Sequence, residues 1–90
     1  MSTKAKRRPS TAKTVNHPLR EQLANAIAGR IAYLGLKQVQ AAEMLGLTQP
    51  RLNLLLRGHI EHFSLDALAN LASRAGLTVR LTVTRPYGQG

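Results

Sequence analysis

LKQVQAAEMLGLTQPRLNLLLRG, residues 36–58, holds two short helical signals on either side of a tight turn. A helix over Lys37–Leu45 would turn Val39, Ala42 and Leu45 inward. Gly46 then ends it, since glycine takes a positive φ without steric cost. Thr48 is a good N-cap for the next helix, and Pro50 falls in that helix's first turn, where a missing N–H costs nothing. Leu52 and Leu55 point inward, Leu47 plugs the turn, and Gly58 stops the helix. Ala42 is small where the two helices must approach closely.

Working outward, Asn16-His17-Pro18 reads as the start of a first helix, with Leu19, Leu23, Ile27, Ile31 and Leu34 at helical spacing and an end near Gly35. On the other side, Gly58 to Phe63 reads as a loop. Ser64 caps a further helix with Asp66 in its first turn, and Leu65, Leu68, Ala69, Leu71 and Ala72 form its apolar face up to Gly76. The period then changes. Residues 77–84 alternate strictly, with Leu77, Val79, Leu81 and Val83 on one side, as in a half-buried strand. The expected fold is mainly α: four or five short helices around the 36–58 pair, plus one C-terminal β-strand. Residues 16–85 form the domain, and 1–15 a disordered basic arm with almost nothing to bury.

A lone strand leaves its N–H and C=O groups unpaired. The economical partner is a second copy of the chain, pairing antiparallel across a two-fold axis, because closed two-fold dimers are the commonest oligomers. A strand docked on its own subunit or on another protein is the alternative.

Ninety residues allow one small domain, and with three aromatic residues its core is aliphatic. Thirteen Lys and Arg against four acids give a net charge of +9. Lys4, Lys6, Arg7, Arg8 and Lys13 lie in the arm, leaving about +4 on the rest. A basic domain with a more basic arm suits a polyanion, most often nucleic acid; a merely solvated tail is the plainer reading. If all five arm cations met phosphates, binding would steepen by roughly four to five log units per log unit of salt. Such an arm could follow a nucleic-acid backbone or enter a minor groove.

The pair of helices and its turn form a helix-turn-helix layout. Over Leu36–Gly58 the chain resembles the Xre/lambda-repressor-like helix-turn-helix family. From about Arg20 to Val83, with "AAEMLGLTQPRLNLLLRG" and "FSLDALANLASRAGLTVRLTV", it is similar to the HigA-type antitoxins of that family. The resemblance implies a repressor that binds double-stranded DNA at a palindromic operator as a homodimer, and a RelE/HigB-like toxin as a further partner. It places Gln38 near a phosphate and Thr48, Gln49, Pro50, Arg51 and Asn53 on the exposed front of the recognition helix.

Physical chemistry agrees with those roles. Gln makes bidentate contacts with adenine and Arg with guanine. Asn53 lies one turn on from Gln49, on the same face. Lys37 and Arg57 suit phosphate contacts, which position the protein without reading sequence. Plainer roles stand beside these: Thr48 as a cap only, Gln49 bonded back to Gln38, Pro50 as a helix starter, Arg57 on a helix C-terminus. Leu54 replaces the polar side chain usual in the family. It either touches a thymine methyl or packs at a dimer or partner surface.

No catalytic constellation, cofactor loop or cysteine is present, and the four acids are scattered. Neither an enzyme nor a cofactor is expected. His59-Ile60-Glu61-His62 superficially suggests a metal site, but zinc wants three or four ligands in fixed geometry, and loop histidines near DNA are the better reading. The absence of cysteine, secretory signal and long apolar run fits a cytoplasmic protein with no membrane partner. Outside the antitoxin reading stand a stand-alone phage or bacterial regulator, a protein-interaction module that has lost specific DNA binding, and nonspecific packing of nucleic acid through the arm.

Overall fold

The computed structural model describes the backbone of residues 2–83 and the side chains of residues 16–83. Four α-helices lie in that span: α1 (Ser2–Leu34), α2 (Gln38–Leu45), α3 (Gln49–Leu56) and α4 (Leu65–Arg74), with a 3-10 turn at Ile60–His62. α1 packs most extensively on α4, and α2 packs on α3. No described helix is long and apolar enough to cross a membrane.

The local signals act where expected. The Thr48 hydroxyl accepts the Arg51 backbone N–H at 3.3 Å and starts α3, with Pro50 in the first turn. The Ser64 hydroxyl accepts the Ala67 N–H at 3.0 Å and starts α4. α2 begins with half of a capping box. The Lys37 N–H donates to Gln40 Oε1 at 2.9 Å, and the reciprocal half is missing because an ammonium has no acceptor.

Gly46 closes α2 at φ 70°, with the Leu47 N–H reaching back to the Ala42 carbonyl at 2.9 Å. A Cβ here would lie 2.9 Å from Arg74 Nη2, the far end of a flexible side chain that can swing aside. The backbone strain cannot be escaped so easily. Gly46→Ala is therefore expected to cost about 1–2 kcal/mol, the penalty of a left-handed alanine. Urea unfolding checks this, and an unchanged midpoint would refute it.

The core centres on Ile27, Leu45, Leu52, Phe63 and Leu68, with Ala41, Ala42 and Ala72 letting helices approach. Three expectations need correction. First, α1 does not begin at Asn16. It is helical from Ser2, through the segment expected to be a disordered arm. Ala, Lys and Arg are good helix formers, and extending an existing helix avoids the nucleation cost. Arm residues Lys4, Lys6, Arg7, Arg8 and Lys13 have side chains outside the described residues.

Second, Val39 is 57% exposed and Leu34 40%. Ala41, Ala42 and Leu45 are the buried residues of α2, and Val39 lies roughly 110° around the helix from the middle of that stripe.

Third, there is no strand among the described residues. Residues 77–83 make no ladder. A strand requires a pairing partner, and the described residues offer none. Leu77 is half-buried against the core, whereas Val79, Leu81 and Val83 stand in solvent. Thr84, the last expected strand residue, lies outside the described residues. The expected Gly58–Phe63 loop is also more structured than a connector, because Ile60 and Phe63 are both core residues.

Candidate nucleic-acid interface

The sequence-predicted residues lie on α2, α3 and their flanks, two helices that pack on each other. Lys37 and Gln38 sit at the start of α2. Thr48, Gln49, Pro50 and Arg51 sit at the start of α3, with Asn53 one turn on and Arg57 at its C-cap, and all of them are exposed. Leu52 and Leu55, on the opposite face, are buried and fix the rotation of α3 about its axis. Leu54 and Leu56 are half-buried against the core. Leu54 thus has a packing role within the chain, which accounts for its apolar side chain without a base contact.

The Thr48 oxygen is occupied as a cap, although its own hydroxyl proton stays free to donate. No hydrogen bond joins Gln49 to Gln38 among the described residues, so the amide of Gln49 is available to an outside partner.

The charge balance of this helix pair favours an anion. Among the described residues, every side-chain ion pair involves a histidine: His17 with Glu21 at 3.8 Å, His59 with Glu61 at 3.8 Å and His62 with Glu61 at 4.0 Å. Lys37, Arg51 and Arg57 have no carboxylate partner there. Backbone N–H groups at the start of α3 add positive potential there. No group of three His, Cys, Asp or Glu residues able to hold a metal ion occurs among the described residues.

Arg51 shows a feature the sequence did not signal. Its guanidinium lies over the Phe63 ring, 4.3 Å from the centroid, and its Nη2 donates to the His62 carbonyl at 3.4 Å. From the other side, Arg20 Nη1 of α1 donates to the Phe63 carbonyl at 3.2 Å. Two arginines thus grip consecutive carbonyls of the turn between α3 and α4. Spacing alone gives no hint of this, because residues 20, 51 and 63 meet only in the folded chain.

A buried-backed, polar-fronted second helix presented by a short first helix defines a helix-turn-helix protein. The model of the helix-turn-helix domain family matches residues 8–84, most of the chain. The chain belongs to this helix-turn-helix domain family, and the comparisons support an Xre-like, DNA-binding transcriptional regulator. Among solved structures it is similar to a protein assigned to the XRE family of transcriptional regulators, with 25% identity and a TM-score of 0.77, covering 83% of this chain and 84% of the other. No curated protein matches it.

Proposed function

We propose that the chain is a sequence-specific repressor that binds a palindromic operator as a homodimer, one α3 helix per half-site, and that it is the antitoxin of a type II toxin–antitoxin module repressing its own operon. The observation that carries the DNA reading is the exposed front of α3, Thr48 to Arg51 with Asn53, together with the cations Lys37 and Arg57, which have no ion pair among the described residues. Arg51 and Gln49 read base edges, and Lys37, Gln38 and Arg57 contact phosphates. The arm cations Lys4, Lys6, Arg7, Arg8 and Lys13 extend the phosphate track and make binding strongly salt-dependent. Such a protein works on the chromosome in the cytoplasm.

The antitoxin role is supported by the HigA-like pattern over Arg20–Val83. The partner is a small RelE/HigB-like toxin. A stand-alone regulator is the second reading, favoured by the similar solved structure, which is described as a transcriptional regulator.

The test is fluorescence anisotropy on DNA from directly upstream of the gene, near physiological salt, with a scrambled duplex as competitor. Wild type is expected to resist the scramble, and Arg51→Ala to bind about 10- to 100-fold more weakly, the range of one lost bidentate base contact. Equal, salt-sensitive binding to both duplexes would overturn the repressor reading and leave a protein-interaction module. For the antitoxin role, a neighbouring small basic reading frame should arrest growth when expressed alone and be relieved by this chain. A neighbour without that effect leaves the stand-alone regulator.

A further inference from the structure

We infer that Phe63 and the His62 carbonyl position Arg51 for base reading, so that the turn after the recognition helix takes part in specificity. This rests on the DNA-binding reading of α3. An exposed arginine on a helix's first turn normally samples many rotamers, and binding must freeze them. Arg51 is exposed overall, yet two contacts of different kinds hold its head group. The Phe63 ring, 4.3 Å from the guanidinium carbon, supports the cation from one side, and the His62 carbonyl accepts one N–H at 3.4 Å.

The platform is itself anchored. Phe63 is 1% exposed and Ile60 3%, both packed in the core. The Phe63 carbonyl is held by Arg20 from α1, across 43 residues of sequence. Phe63 is the one phenylalanine in a chain with three aromatic residues, and the face of its ring is given to the Arg51 guanidinium.

No acid competes for that cation. Glu61, the carboxylate of the same turn, lies near His59 and His62 instead, and Arg51 has no ion pair among the described residues. A guanidinium has five N–H donors, and the His62 carbonyl accepts from one of them. The others remain for a planar pair of acceptors such as guanine O6 and N7. Phe63 is thus a positioning residue. It need not touch DNA to influence which base Arg51 selects.

The test uses the full chain and an operator obtained by selection from a random duplex pool. Without DNA, the Arg51 side-chain proton resonances should be shifted upfield by the Phe63 ring current in wild type. Phe63→Leu should abolish that shift, and Phe63→Tyr, which keeps the aromatic face, should retain it. With DNA, Phe63→Leu should reduce discrimination between the selected duplex and one altered at the Arg51-dependent base pair by about three- to tenfold, the scale of one cation–π contact. Binding to nonspecific DNA should not change. In an Arg51→Ala background, Phe63→Leu should have no further effect on discrimination.

A purely structural Phe63 would lower the melting temperature and leave discrimination intact, and that result overturns the inference, as does a wild-type Arg51 without the upfield shift. If Phe63→Leu does not fold, the wild-type shift and the discrimination kept by Phe63→Tyr decide the matter. A selection that enriches no sequence overturns this inference together with the DNA reading, whereas enrichment insensitive to Phe63→Leu overturns this inference alone.

Discussion

Leu52→Ala is expected to destabilise the domain by about 3–5 kcal/mol and to lower its melting temperature by roughly 15–30 °C. Leu52 is 0% exposed and lies on the recognition helix, so truncation leaves a cavity between α3 and the rest of the bundle. α3 has only eight residues, and a helix that short is not stable alone. Its orientation depends on Leu52 and Leu55 staying buried. A small domain has a modest stability reserve, commonly near the lower end of about 5–15 kcal/mol, so this single change consumes much of it. Circular dichroism melting measures the effect. Leu54→Ala is the control, because Leu54 is half-buried and should cost distinctly less. Equal losses at the two positions would mean that α3 is not rotated as described.

The parts of this fold legible in the sequence are those set by short-range chemistry. Thr48, Gly46 and Ser64 each act within four residues, through a side-chain cap or a permitted positive φ, and each ends or starts a helix where the sequence placed it. The inward positions Leu52, Leu55, Leu68 and Ala72 follow from helical period alone. Val39 was misread because an eight-residue helix has barely two turns, and its phase hangs on two alanines that look neutral in sequence. The start of α1 was misread because Asn16 and Pro18 make a local start signal, while propagation from a helix already in place overrides it.

The candidate site divides in the same way. That Arg51 stands on the exposed front of α3 follows from its distance to Thr48. That it rests on Phe63 does not, because the contact depends on how the turn after α3 folds back and on Arg20 arriving from α1. Ile60 and Phe63 read as loop because a single 3-10 turn has no periodicity to detect, although burial makes them core. For Leu54, the family resemblance left open a base contact or a dimer or partner surface, and the structure packs it, half-buried, against the core.

Leu81→Glu is expected to separate the proposed dimer and to lower affinity for a two-half-site operator by about 10²- to 10⁴-fold, with binding to a single half-site unchanged. The proposal starts from the C-terminal segment. Val79, Leu81 and Val83 are 46%, 76% and 82% exposed, and they alternate with Thr78, Arg80 and Thr82 as one face of a strand would. Their backbone makes no ladder among the described residues. An apolar groove of about 410 Å³ lies between α1, α4 and this segment, lined by Leu19, Leu23, Leu65 and Ala69 together with Val79 and Leu81 themselves. In the proposed dimer a second copy would pair an antiparallel strand with the open backbone and extend the apolar surface that this segment and the groove begin. In such a dimer two recognition helices would hold a fixed separation, and the second half-site would bind at a high effective concentration. A glutamate at position 81 would bury an unpaired carboxylate in that interface but stand in water in the monomer, so the isolated fold should be unharmed. Sedimentation equilibrium reads the mass, circular dichroism the fold, and anisotropy on one- and two-site duplexes the avidity. A wild type that sediments as a monomer, or a Leu81→Glu protein that remains dimeric, would rule out this segment as the dimer contact.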